Sequence, residues 1–332
     1  MEYRCLVVDK SPTGDIRCAP GIREVPALAT GHCLVQLEYS AINYKDSLAA
    51  AGHPGVAKSL PVVPGIDAVG KIVQSHSPQW RVGQPVIISH ADFGTAHDGG
   101  FAEYAAVPDD WLVPLPDGLS AFEAAAIGTA GYTAAQCCQA LLAHGVTPSS
   151  GPIVVSGATG GVGIFAVKLL RHLGYQVVAS SGKPDRRDWL ISHGADEVIS
   201  REALQDTSAK PMLSVKWGGA VDTVGGLCLS TILRQTRPRG CVAACGLVGG
   251  AELPMTVYPF ILRGVVLAGI DSAGVTNAER RQLWQRMASD WKFTGLTDIT
   301  RLIGLPDLPT ELENIRAGRV AGRVVVDLHT SK

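Results

Sequence analysis

The chain has 332 residues, long enough for two domains, and its 29 basic against 30 acidic residues leave almost no net charge. No long run of one sign stands out, which argues against a broad electrostatic surface for nucleic acid or anionic lipid. Gly is abundant at 38, apolar residues make up 46%, and no stretch approaches the roughly 20 uncharged apolar residues of a membrane helix, which is the profile of an α/β enzyme.

The opening Met1 to Asp9 lacks the basic-then-apolar pattern of a signal peptide, so a cytoplasmic location is expected. The first third alternates strand-like runs, such as Cys33 to Leu37 and Pro85 to Ser89, with Gly/Pro turns, as a compact strand-rich unit would. Near Ser120 the composition changes, and Ala121 to Leu142 reads as an Ala-rich helix. The pattern then becomes strand–helix–strand. Pro152 to Ser156 suits a strand buried on both faces, and Val162, Phe165, Ala166, Leu169, Leu170 and Leu173 recur at helical spacing until Gly174 stops the helix. Strands are expected again at Gln176 to Ala179, Ala220 to Val224, Gly240 to Cys245 and Val265 to Ile270, an alternation that implies a doubly wound parallel sheet. The tail is predicted helical over Ala278 to Trp291 and Glu311 to Ala317. It closes on a strand, Gly322 to Leu328, that has no partner in the parallel sheet and is expected to return to the first domain. The eight cysteines show no C-x-x-C spacing and read as reduced, mostly buried thiols.

The sharpest motif is Ser156-Gly157-Ala158-Thr159-Gly160-Gly161-Val162-Gly163, placed between a predicted strand and a predicted helix. Backbone N–H groups of Thr159, Gly160, Gly161 and Val162 at such a helix start can point at a pyrophosphate, and glycine lets the phosphate approach. No Gly-Lys-Ser/Thr follows, so this is no Walker loop. No tyrosine has a lysine four residues later, and the motif lies far from the N-terminus, which argues against a short-chain dehydrogenase. An NAD site places a carboxylate about 20 residues further on, to grip the ribose 2′-OH. Here Ser180-Ser181-Gly182-Lys183 stands instead, with Arg186, Arg187 and Arg201 near in sequence, so NADPH is the expected cofactor.

Asn43-Tyr44-Lys45-Asp46, Pro64 to Gly70, Gly99 to Tyr104, Gly128 to Ala134 and the glycine turn together resemble the medium-chain dehydrogenase/reductase superfamily over essentially the whole chain. That resemblance implies a GroES-like β-rich catalytic domain, residues 1–122 and 273–332, and a Rossmann NADPH-binding domain, residues 123–272. Zinc members carry Gly-His-Glu where this chain reads Gly65-Ile66-Asp67, and the four-cysteine structural lobe is missing, so no metal is expected. Asp222-Thr223-Val224-Gly225, Cys241 to Leu247, Pro259 to Arg263 and Gly269 to Ser272 narrow the resemblance to the acrylyl-CoA reductase branch. The implied reaction is NADPH-dependent reduction of the conjugated double bond of acrylyl-CoA or a similar enoyl thioester. A quinone or general enone reductase is the alternative, and a non-enzymatic NADPH-binding protein is a further one.

By the same resemblance Tyr44 lies beside the nicotinamide, where its phenol O–H could donate a hydrogen bond, or could simply wall the cofactor. Asn43 either holds substrate or ribose or caps a turn. Asp67 occupies the old metal-ligand position and either assists chemistry or holds the fold. Thr129, Leu247, Ser272 and Arg323 are expected at the cofactor together with the glycine turn and with Ser181, Gly182, Lys183 and Arg201. A homodimer joined through edge strands near Val265 to Ile270 is also implied.

Overall fold

The computed structural model describes residues Met1–His329. Two compact units emerge. One comprises Met1–Thr129, Ala273–Ser289 and the stretch from Gly295 onward; the other comprises Ala130–Ser272 and Asp290–Thr294. The expected boundaries were 122/123 and 272/273.

The second unit is built on six parallel strands. In spatial order they are Glu197–Ser200, Val177–Ser181, Ile153–Val155, Trp217–Asp222, Thr236–Ala244 and Val266–Gly269. Counted along the chain within this sheet, the order is 3-2-1-4-5-6, the doubly wound Rossmann arrangement whose direction reverses between Ile153–Val155 and Trp217–Asp222. Ile153, Val154 and Val155 are each 0% exposed, which explains the unbroken apolar run: a parallel strand is covered on both faces. The helix Gly161–His172 follows the glycine turn. It ends where Gly174 takes φ +82° and its N–H donates to the Arg171 carbonyl, the left-handed stop that glycine permits.

The first unit holds a mixed sheet in the order Thr300–Gly304, Arg323–Asp327, His32–Ala41, Ala68–Ser75, Pro85–Ile88 and Leu112–Pro114, with Tyr104–Pro108 also paired to His32–Ala41. Glu2–Lys10 and Ile16–Glu24 form a separate antiparallel pair. The closing strand Arg323–Asp327 runs antiparallel to His32–Ala41, so the tail completes this unit. Its core gathers Phe93, Phe101, Leu37, Ile72, Val326 and neighbours.

One local expectation needs correction. The Ala-rich segment forms the helix Ala121–Ala143, but it breaks at Gly128, whose φ of 45° and ψ of −157° are non-helical. An added Cβ at Gly128 would lie 2.5 Å from an Asp67 carboxylate oxygen and 2.9 Å from an Arg323 guanidinium nitrogen. The break therefore belongs to a buried polar cluster, and helix propensity alone does not reveal it.

Candidate active site

In the second unit the glycine turn has the shape a pyrophosphate needs. Gly157 takes φ +59°, the Ala158 N–H donates to the Ser180 carbonyl at 3.0 Å, and the Gly160 N–H donates to the Gly157 carbonyl at 2.9 Å. A Cβ on Gly163 would press on the Gly157 carbonyl and sit 2.7 Å from Ala158 Cα, so only glycine lets this helix start pack so closely. Beside Gly160 an added Cβ would meet only one atom, at 3.3 Å, which leaves the outer side of the turn open. Behind the turn, Ser156 Oγ donates to Asp222 at 2.6 Å, and the Thr223 and Gly225 N–H groups close onto Ser156 Oγ and Asp222 at 3.0 and 2.7 Å. Asp222 is fully buried, and burial raises its pKa against the pull of these donors.

At the end of the Val177–Ser181 strand no carboxylate occupies the ribose position. The Lys183 N–H donates to Ser181 Oγ at 3.0 Å. Burial lowers the Lys183 pKa, and the neighbouring Arg186 and Arg201 lower it further. Cations crowded in this way favour an incoming anion. Arg186 pairs with Asp185 at 3.3 Å, and Arg187 donates to the Val198 carbonyl at 2.7 Å, so Arg187 serves the backbone. Leu247 lies 68% exposed on the loop after Thr236–Ala244, and Ser272 ends the unit's main segment half-buried. A dinucleotide fits this unit: the glycine turn supplies N–H groups, and the Ser181–Lys183 corner supplies positive charge.

In the first unit the sequence-selected residues meet in one network. Asp67, 3% exposed, accepts from Asn43 Nδ2 at 2.7 Å, from the Thr129 N–H at 2.8 Å and from Thr129 Oγ1 at 2.7 Å. Ser89 Oγ lies 3.2 Å from Thr129 Oγ1. Arg323 Nη2 stands 3.9 Å from Asp67, while Nε donates to the Ala126 carbonyl at 2.9 Å and Nη1 to the Ile42 carbonyl at 3.0 Å. The resemblance implied Arg323 at the cofactor; in the first unit its side chain is occupied by these contacts. The residue is 3% exposed, and Nε and Nη1 are held by backbone carbonyls, with Nη1 also donating to Asn43 Oδ1 at 3.2 Å, so these contacts brace the interior of the unit. Asp67 likewise has both carboxylate oxygens engaged and acts as the hub that holds Asn43 and Thr129.

Tyr44 opens the short helix Tyr44–Ala50 and is 44% exposed, leaving its ring at the surface of the unit. What holds it there is Asp46, which the motif contained but to which sequence reasoning gave no role. Its carboxylate accepts from the Asn43 N–H at 2.7 Å and from the Ile66 N–H at 2.9 Å, tying the Tyr44 segment to the Gly65–Asp67 turn. The available signal was a carboxylate three residues after a helix-capping Asn. Burial, with Asp67 adding to it, pushes the Asp46 pKa up from 3.8 to about 7. The folded protein thus holds this proton more tightly than the unfolded chain. The stability Asp46 contributes is complete below pH 3.8 and is lost as pH rises through about 7. The melting temperature of wild type relative to Asp46→Asn should therefore fall between those values; a difference that stays constant across that range would refute the assignment.

Two family models match the chain, the alcohol dehydrogenase GroES-like domain over residues 29–117 and the zinc-binding dehydrogenase domain over residues 161–289. Acrylyl-CoA reductase AcuI of Ruegeria pomeroyi is 43% identical over 98% of this chain and 99% of its own. Among solved structures, the yhdH oxidoreductase of Salmonella enterica in complex with NADP is 40% identical, with a TM-score of 0.92 over 98% of this chain and 99% of that one. The Bacillus subtilis protein yhfP with NAD bound is 43% identical, with a TM-score of 0.95 over 98% and 99%.

Proposed function

Because the chain belongs to the medium-chain dehydrogenase/reductase superfamily, in the group that contains acrylyl-CoA reductase AcuI, we propose that it reduces the conjugated double bond of acrylyl-CoA, or a similar enoyl thioester, with NADPH. The observation that carries the reading is full-length similarity to AcuI combined with a ribose corner where Ser181, Lys183 and Arg201 stand and the strand ends without a carboxylate. When bound, the cofactor supplies a hydride to the β-carbon of the thioester, and the α-carbon takes a proton. The chain must then orient the substrate and stabilise the developing enolate oxygen through hydrogen-bond donors. Tyr44 is our candidate donor, being exposed while the preceding Asn43 N–H is held by Asp46. Asn43 and Asp67 act as positioning residues, since their side chains are bound to each other.

We assign no zinc to this reaction. Ile66 stands where zinc members carry histidine and has no donor atom, and among the described residues no three His, Cys, Asp or Glu side chains are grouped to hold a metal ion. A homodimer fits the exposed apolar residues Val257, Ile261 and Leu262 beside the sheet's edge strand Val266–Gly269. Sedimentation at one chain's mass would remove that assignment. No helix among the described residues is long and apolar enough to cross a membrane.

The test is oxidation of NADPH followed side by side with acrylyl-CoA, crotonyl-CoA and a benzoquinone. Saturable turnover with acrylyl-CoA at micromolar levels supports the reading. A preference for the quinone favours the flat-ring alternative, and NADPH binding without turnover on any of the three favours a binding protein. In the same assay Tyr44→Phe should lower kcat on acrylyl-CoA; unchanged turnover would remove the donor role.

A further inference from the structure

The corner that follows the Val177–Ser181 strand contains a glycine whose backbone does not require one. Gly182 is absent from the residues with positive φ, so an L-residue fits its conformation. It is exposed, so no core packing excludes a side chain. Glycine in such a place costs backbone entropy and calls for a local reason. That reason is Arg201. A Cβ built on Gly182 would stand 2.6 Å from Arg201 Nη2, 2.8 Å from Cζ and 2.9 Å from Nε. All three atoms belong to one guanidinium, which therefore lies flat against the bare Gly182 backbone. From there it joins Lys183 and Arg186, and both arginines add to burial in lowering the Lys183 pKa.

We propose that Gly182 determines selectivity for the cofactor's 2′-phosphate, acting as the platform that seats Arg201. The proposal rests on the NADPH reading above. It gives a physical basis for choosing between NADP and NAD in a fold whose relatives have been solved with each. A methyl group at position 182 would displace the far end of a flexible side chain, which yields without disturbing the backbone. Selectivity should therefore change while the fold does not. The phosphate would lose a charged, forked donor, and the unphosphorylated ribose would lose nothing.

The experiment is fluorescence titration of NADPH and of NADH into wild type, Gly182→Ala, Arg201→Ala and the double variant, with thermal melting as the fold control. Gly182→Ala should bind NADPH roughly ten- to a hundredfold more weakly, the scale of one charge-assisted hydrogen bond, with NADH binding and melting temperature unchanged. The double variant should be no worse than Arg201→Ala, because both changes remove the same contact. Wild-type selectivity retained in Gly182→Ala overturns the proposal. So do equal losses for both cofactors, or losses that add in the double variant. Wild type that binds NADH as tightly as NADPH would instead overturn the cofactor reading on which the proposal stands.

Discussion

Asp67→Ala should destabilise the first unit by about 3–5 kcal/mol, the usual cost of leaving a buried charge without its partner. The abandoned charge is Arg323, itself 3% exposed, and the Asn43 and Thr129 donors would lose their acceptor as well. Denaturant unfolding reads the loss directly. Asp67→Asn should fall between wild type and alanine, since it keeps an acceptor oxygen without the charge. Adding Arg323→Met to Asp67→Ala should recover part of the stability, because the double change removes the orphaned cation as well as its partner. An Asp67→Ala midpoint equal to wild type would show that the carboxylate is no hub. The expected kinetic consequence is a fall in kcat, because the Asn43–Tyr44 segment is held through the same carboxylate.

Gly163→Val should abolish tight binding of both nicotinamide cofactors alike. Its Cβ would press on the Gly157 carbonyl and on Ala158 Cα, 2.7 Å away, and these are backbone atoms of the turn itself. Overpacking at such a point costs about 1–3 kcal/mol, which lowers affinity roughly ten- to a hundredfold if the turn alone absorbs it. The contrast with Gly182 is informative. One glycine is required by rigid backbone, so its replacement damages the pyrophosphate site whichever ribose is offered. The other is required by a mobile guanidinium, so its replacement should affect only the phosphorylated ribose. Cofactor affinity unchanged in Gly163→Val would separate the glycine turn from dinucleotide binding altogether.

The second unit was readable from sequence because its determinants are local. A strand covered on both faces must be apolar throughout, as Ile153–Val155 is, and Gly174 marks the end of its helix by a left-handed turn. The missing carboxylate at Ser181–Lys183 is equally local. In the first unit, by contrast, the decisive contacts span the chain. Arg323 reaches Asn43 across 280 positions, and nothing in either neighbourhood announces the pairing. Resemblance implied Arg323 at the cofactor, and the contacts that bury it could not be read from its neighbourhood. The break at Gly128 was hidden for a related reason. Its flanking alanines favour helix, and the carboxylate and guanidinium beside it come from distant segments. Asp46 lay within a motif already singled out, yet its importance depends on the Ile66 N–H, 20 residues away.

The central claim is that hydride from NADPH reaches the β-carbon of a conjugated thioester. Turnover of acrylyl-CoA with NADPH deuterated at C4 tests it most directly, with the acyl product analysed by mass spectrometry and NMR. The expected product is propionyl-CoA carrying one deuterium at C3 and a solvent-derived proton at C2. Deuterium at C1 of an aldehyde or alcohol, or no acyl product alongside rapid quinone reduction, would contradict it.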